Sequence, residues 1–350
     1  MSKEKITAYK GFDKDMKCRG FQYEVGKEYE QDDASVCNYG FHASENPLDV
    51  LDYYSDIDGK YCIVESSGKI DKDEDGNKFA SSRIKVVAEI GFVGLFNAGI
   101  EWLKEVTSPE RIKETKETSS GDSAQIGSSG DFAKIGSSGD SAQIGSSGDS
   151  AKIGSSGDSA QIGSSGDFAK IGSSGDSAKI GSSGDFAQIG SSGDSAQIGS
   201  SGDSAQIGSS GDFAKIGSSG DSAKIGSSGD SAQIGSSGDF AKIGSSGDSA
   251  KIGSSGDYAQ IGSSGDTAQI GSSGDYAQIA STGEDSVICC AGDNSIAKAK
   301  IGSWITLSEW VYSEDKKRYI PKCVKTEYVD GERIKADTWY KLIDGEFVEQ

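Results

Sequence analysis

Aspartate recurs every nine residues from Asp122 to Asp275 without a slip, and Glu284 and Asp293 hold the phase after the residues around them have diverged. A carboxylate at fixed spacing has two chemistries open to it. It can accept backbone N–H groups and close a tight turn, or it can join other oxygens around a hard cation such as calcium. Other chemistry-bearing residues are sparse. The chain has 1 histidine, His42, and 6 cysteines: Cys18, Cys37, Cys62, Cys289, Cys290 and Cys323. None of these forms a C-x-x-C pair, so a zinc site is disfavoured. Reduced, partly buried thiols are expected rather than a disulfide framework. No Ser–His–Asp or paired-carboxylate arrangement is apparent. No cofactor is expected, with calcium as the one candidate.

The elements that must position those carboxylates follow from the unit, G-S-S-G-D-x-A-x-I. The period of two in D-x-A-x-I predicts a short strand with Ala and Ile on its inner face and the two variable residues outside. Ala124 and Ile126 would point inward, Ser123 and Gln125 outward. An inner position tolerates little change in volume, and Ala and Ile hardly vary from unit to unit, whereas the outer positions take Ser, Thr, Phe, Tyr, Lys or Gln. G-S-S-G would form the corner, with glycine supplying positive φ and serine bonding the local backbone. Two glycines per unit oppose a helix.

One unit cannot close a coil with two faces, so two units, or 18 residues, are expected per coil. The aromatic residues bear on this. They follow Asp at Phe132, Phe168, Phe186, Phe213, Phe240, Tyr258 and Tyr276. Counted from Asp122, all except Phe213 fall in even-numbered units, which an 18-residue coil places on one side. Phe132, Phe168, Phe186, Phe240, Tyr258 and Tyr276 are therefore the candidate binding surface. Twenty units would give ten coils, roughly 48 Å long at strand spacing.

The fold class expected is mainly β, a parallel β-solenoid of the β-roll type over residues 119–301. An α+β domain over residues 1–110 precedes it, and a β-rich cap over residues 302–350 follows. In the first domain, strands are expected at Ile6–Phe12, Tyr61–Glu65 and Arg83–Ile90. A helix is expected from Asn46, its N-cap, through Pro47 and Asp49 to Tyr54, and an acidic turn over Asp71–Asn77. A second helix spans Leu95–Val106, burying Leu95, Ile100 and Leu103. Pro109 to Lys116 joins this domain to the repeats. In the cap, Trp304–Trp310 alternates like a strand. Asp330-Gly331 and Asp344-Gly345 signal hairpin turns, the second between strands at Ala336–Leu342 and Phe347–Val348. The flanking domains would cover the open ends of the stack.

The net charge is −20. The block from Ser119 to Ile279 holds 18 Asp and 8 Lys and carries half of it. That balance opposes binding to nucleic-acid phosphates. No run approaches the length of a membrane span, and the first ten residues lack a signal-peptide core. A protein partner is expected, and a homo-oligomer is compatible with this reading.

Four resemblances add to it. The nine-residue unit partly resembles the G-G-x-G-x-D-x-(apolar)-x repeat of calcium-binding β-rolls. Here, however, Asp directly follows the second Gly and Ile lies four residues beyond it, so no metal ligands are assigned. Ala291-Gly292-Asp293-Asn294-Ser295-Ile296-Ala297 resembles the G-D-N-S-V-A-I-G motif of trimeric adhesin heads, which implies a β-roll. Tyr9-Lys10-Gly11-Phe12, Cys18-Arg19-Gly20-Phe21, Gly40-Phe41-His42-Ala43, Asn46-Pro47-Leu48-Asp49-Val50 and Lys335-Ala336-Asp337-Thr338-Trp339-Tyr340 resemble uncharacterised phage and prophage proteins that flank a β-repeat region with similar segments. That implies a host bacterial cytoplasm or a virion. Finally, Tyr9-Lys10-Gly11, then Gly40-Phe41-His42-Ala43-Ser44, a short helix ending in Tyr53-Tyr54 and a strand reaching Glu65 resemble the layout of ADP-ribosyltransferases. This would give catalytic roles to Tyr9, His42 and Glu65, with Phe41 and Glu89 as alternates. The Ser-Thr-Ser strand and Glu-x-Glu of that family are absent.

The leading reading is a non-enzymatic, rod-like phage-type repeat protein that presents a regular surface for binding or spacing. An ADP-ribosyltransferase-like enzyme in the N-terminal domain is the alternative. An acidic DNA mimic that blocks a host enzyme is a third.

Overall fold

The computed structural model describes residues 5–54, 56–73, 78–106 and 117–350, without the side chains of residues 103, 104, 106, 117 and 118. The expected acidic turn therefore lies partly outside the described residues. So do Leu103's side chain and the Pro109–Lys116 join. The chain divides into two compact units, Met1–Trp102 and Leu103–Gln350.

The first unit is an antiparallel sheet of β1 (Ile6–Phe12), β4 (Glu28–Glu30), β5 (Phe41–Ala43), β6 (Lys60–Lys72) and β7 (Phe79–Glu89) in the order β1-β6-β7-β4, with β5 also on β7. A two-residue hairpin, β2 (Lys17–Cys18) and β3 (Phe21–Gln22), follows β1. Alternation along β1 and β6 sends Ala8, Phe12, Cys62 and Val64 inward, where they meet Phe41, Phe79, Ile84 and Val86. The expected helix after Asn46 is a shorter 3-10 helix, Pro47–Asp52, although its cap is as expected: Asn46 accepts the Leu48 N–H. Helix α1 (Gly91–Val106) begins four residues before the expected Leu95 and buries Phe92, Leu95, Phe96 and Ile100. A Cβ on Gly99 would sit 2.6 Å from Leu48 Cγ. Glycine there is what lets the 3-10 helix lie against α1.

The second unit is a parallel β-solenoid of about 10 turns over residues 125–307. Four-residue strands recur every nine residues from β9 (Gln125–Ser128) to β26 (Gln278–Ser281) and alternate between two parallel sheets. Each residue pairs with the one 18 further on, as Gln125 with Gln143 and Ile126 with Ile144. Two units per coil is thus the observed register. Ile135 and its successors are at most 4% exposed and form one continuous core with the alanines. Burying each isoleucine contributes about 1.5–3 kcal/mol.

Two local expectations are corrected. The strand is x-I-G-S, not D-x-A-x-I, and S-G-D-x-A makes the corner. Alanine is still inside, at the corner's edge, and the first serine after Ile-Gly joins it. Nor does the glycine of the corner supply positive φ. The residue after Asp does, at Phe168 (φ 56) and Tyr258 (φ 58) among others. The second glycine is required by close approach instead. A Cβ on Gly256 would lie 2.0 Å from the Gly238 carbonyl oxygen of the coil before. The first glycine of an even-numbered unit, such as Gly253, faces open space.

The corner hydrogen bonds explain why a non-glycine residue accepts φ near +57°, a conformation disfavoured for L-residues. The residue after Asp donates its N–H to the Asp carbonyl one coil ahead, as Phe168 to Asp185 at 2.9 Å. At the odd-numbered corners up to Ser195 the donation runs backward, as from Ser195 to Asp176, and from Phe213 onward it runs forward. The sequence is S-S-G-D-S at Ser195 and again at Ser231, so local sequence does not choose the direction.

The stack ends by changing the direction of pairing. β27 (Val287–Cys290) receives β29 (Trp304–Ser313) in parallel, with Val287 opposite Trp304, one residue short of a full coil. β29 then folds back antiparallel onto β30 (Arg318–Tyr328) around Lys317, not around Asp330-Gly331. Asp330 instead closes a local loop, its Oδ1 accepting three N–H groups from Glu332, Arg333 and Ile334. On the other sheet β28 (Ile296–Lys298) meets β31 (Tyr340–Ile343), which pairs with β32 (Glu346–Glu349) through Asp344 and Gly345, both at positive φ. Residues Ala336–Trp339, expected in that strand, lie outside it. Pro321, Lys322 and Lys325 stand on the outermost strand β30, which blunts it as an edge.

Candidate functional site

The 18-residue register stacks the residue after Asp into a column along each edge of the solenoid. In the even-numbered column Phe168 and Phe186 lie 5.1 Å apart and nearly parallel, as do Phe240 and Tyr258. Tyr276 continues the second run, 4.9 Å from Tyr258. Ser204 and Ser222 separate the two runs, and Ser150 isolates Phe132. Phe132 is 75% exposed, whereas stacking brings Phe186 to 51%. The rings therefore shield one another but keep about half their surface outside. Phe213, in an odd-numbered unit, belongs to the other edge.

Aspartate lines the same corners. Oδ1 of each even-numbered Asp from Asp131 to Asp275 accepts the N–H of the Asp one coil ahead, for example Asp167 to Asp149 at 3.0 Å. The carboxylate therefore caps its neighbour's turn rather than its own. Among the described residues, no three His, Cys, Asp or Glu side chains converge as a metal cluster.

One sheet face of the solenoid is a shallow groove of about 1680 Å³, with a floor that includes Gly163, Gly199 and Gly235 and a wall that includes Gln161, Lys179, Gln197 and Lys215.

The N-terminal unit holds a different site, a pocket of about 780 Å³ between β1, the β2–β3 hairpin, β5 and the end of the 3-10 helix. Its floor is Lys10. Residues Ala8, Lys10 and Phe12 share one face of β1, and that face is buried, leaving Lys10 only 4% exposed. Its ammonium donates to the His42 carbonyl at 2.8 Å and lies 5.5 and 5.8 Å from the ring centres of Phe12 and Tyr23. Burial pulls its pKa below the ordinary lysine value, with the neighbouring Cys18 opposing. Cys18 Sγ is 2.7 Å from the Tyr54 hydroxyl. A Cβ on Gly11 would fall 2.5 Å from Tyr54 Cβ, so glycine there admits the tyrosine. Tyr23 packs edge-on to Phe21 and Tyr29, with Phe41 behind it. Arg19, which lines the pocket, adopts left-handed φ.

Two of the three candidate transferase residues, Tyr9 and His42, line this pocket. His42 Nε2 accepts the Cys37 N–H at 3.0 Å, and burial followed by the charge of Lys10 lowers the imidazole pKa. Glu65 is not among the lining residues. It pairs with Lys5 at 3.0 Å. Sequence reading had not singled out Lys10, Cys18, Arg19 or Tyr54 as a site. A usable signal was present: a lysine on the inward parity of an otherwise apolar strand.

Residues 6–98 match a family described as a domain of unknown function, DUF7666. No curated protein and no solved structure matches the chain. The similarity to that domain family ends before the repeats begin, and it covers every residue that lines the pocket.

Proposed function

We propose that this chain is a non-enzymatic repeat protein whose solenoid is a rigid scaffold displaying side chains to a protein partner at one-coil intervals. The observation that carries this reading is the pair of stacked aromatic runs, Phe168–Phe186 and Phe240–Tyr258–Tyr276, held half-exposed on one edge. Exposed rings in an ordered row are costly to leave in water and suit a partner's apolar side chains. The flanking motifs that resemble phage and prophage proteins support a viral setting. The transferase reading draws less support, because Glu65 is engaged with Lys5 and not with the pocket. A DNA mimic is supported by the charge of −20 alone.

The test compares the full chain with a variant carrying serine at positions 168, 186, 240, 258 and 276. Serine already occupies this column at Ser204 and Ser222, so the variant keeps the corner. Proteins of a bacterial host captured by the parent and released by the variant support the proposal. Identical capture by both, with the variant folded, refutes it.

A further inference from the structure

Among the described residues, the buried ammonium of Lys10 has no carboxylate partner. Among its described contacts, one hydrogen bond goes to a neutral carbonyl, that of His42, another to the side chain of Cys18, and two are ring faces. Among the described residues the one carboxylate lining the pocket, that of Glu30, is ion-paired with Arg83. Removing a charge from water without a partner costs several kcal/mol, so buried charges are paired or serve a ligand. A second observation points the same way: the side-chain amide nitrogen of Gln31, which also lines the pocket, is buried with no acceptor. One cavity thus holds a buried ammonium without a carboxylate and a buried amide donor without an acceptor, and Arg19 and Lys78 add positive charge to its lining. The remaining wall is aromatic, with Phe21, Tyr23, Tyr29, Phe41, Tyr53 and Tyr54.

We propose that the pocket of the N-terminal unit binds a small organic anion with a planar, apolar body, a phosphate ester or a carboxylate. Its anionic head lies against Lys10 and Gln31, and its body lies against Tyr23 and Tyr54. The cavity volume of about 780 Å³ suits a ligand of that size. The aromatic walls select the body by stacking, and the ammonium selects the charge. This inference is independent of the display function of the solenoid.

The experiment is isothermal titration calorimetry of the full chain with four probes: 1-naphthyl phosphate, 1-naphthoate, 1-naphthol and inorganic phosphate. At least one aryl anion is expected to saturate the protein, with inorganic phosphate and neutral 1-naphthol about tenfold weaker or more, because each lacks one half of the recognition. The better of the two aryl anions identifies the head group. Lys10→Met, which keeps the length of the side chain and removes its charge, should weaken the aryl anion about tenfold or more. Without ligand it should melt no lower than the parent. Arg19→Gln at the exposed rim is the second variant and should weaken binding without touching the core. No saturation by either aryl anion at millimolar concentration overturns the proposal. So does binding that is unchanged in both variants, or 1-naphthol binding as tightly as its charged relatives.

Discussion

Oδ1 of Asp257 accepts the backbone N–H of Asp275, one full coil further along, at 2.8 Å. The same bond links Asp239 to Asp257 and Asp275 to Asp293. A column of like charges about 4.8 Å apart is thereby turned into a column of charge-assisted hydrogen bonds. What repulsion costs along the edge is offset by satisfying an N–H group that the tight corner leaves without a backbone partner.

Asp257→Asn and Asp257→Ala should therefore separate charge from capping. The amide keeps an acceptor and relieves repulsion, so the melting temperature should hold or rise. Alanine leaves the Asp275 N–H without its acceptor and should cost about 1–3 kcal/mol. Thermal unfolding with and without added salt checks this, since screening should stabilise the parent more than the Asn variant. Equal losses in both variants would show that the charge itself, or a cation bound to it, holds the corner.

Two glycines three residues apart should behave in opposite ways. Gly256→Ala drives a Cβ to 2.0 Å from the Gly238 carbonyl oxygen, and the loss should exceed about 4 kcal/mol, in the range of severe backbone clashes. Gly253 has nothing within 4 Å of that position, and Gly253→Ala should change stability by about 0.5–1 kcal/mol at most, in the stabilising direction. Chemical denaturation of the two variants decides it.

Ser245 points inward, is fully buried, and its hydroxyl has no hydrogen-bond partner. Ser245→Ala removes an unsatisfied polar atom and should stabilise the solenoid by about 1 kcal/mol. A clear drop in the denaturation midpoint would mean that the hydroxyl has a partner.

The sequence shows the period, the two-unit coil and the inner Ala and Ile because these depend on spacing, and spacing survives from residue to residue. It hides the strand boundaries. D-x-A-x-I and x-I-G-S contain the same alternation, and only the stacking of Gly256 on Gly238 decides which residues form the corner. It also hides the direction of the corner hydrogen bonds, since Ser195 and Ser231 have the same neighbours in sequence and donate in opposite directions. In the N-terminal unit, Tyr9 and His42 were legible as neighbours through their motifs. Lys10 is legible only through its parity, since it shares the inward face of β1 with Ala8 and Phe12. Glu65, expected at a strand end, lies in the middle of β6, and its side chain meets Lys5 instead.

The histidine gives a pH prediction that a single resonance can report, since the chain contains 1 His. Burial and Lys10 hold His42 below its ordinary value of 6.5. The unfolded chain therefore takes up a proton before the folded one does. Its contribution to stability is fully present above pH 6.5 and is lost as pH falls below 6.5 through the folded value. Asp33 and Glu65 are also held below their ordinary values, 3.8 and 4.5, so their losses come at lower pH. NMR titration of the imidazole proton should give a midpoint under 6.5. A midpoint at or above 6.5 contradicts the buried, cation-flanked environment described for it.

The 18-residue register underlies every surface discussed for the solenoid, and disulfide trapping tests it most directly. Gln197 and Lys215 are Cα partners on adjacent strands of one sheet, whereas Gln206 lies on the other sheet. In a background with the exposed Cys37 and Cys289 replaced by serine, the pair Gln197→Cys with Lys215→Cys should oxidise rapidly to an intramolecular disulfide, because neighbouring strands are within disulfide reach. The pair Gln197→Cys with Gln206→Cys should stay reduced. Rapid crosslinking of the nine-residue pair, or none of the 18-residue pair in folded protein, would contradict the two-unit coil and the aromatic columns that depend on it.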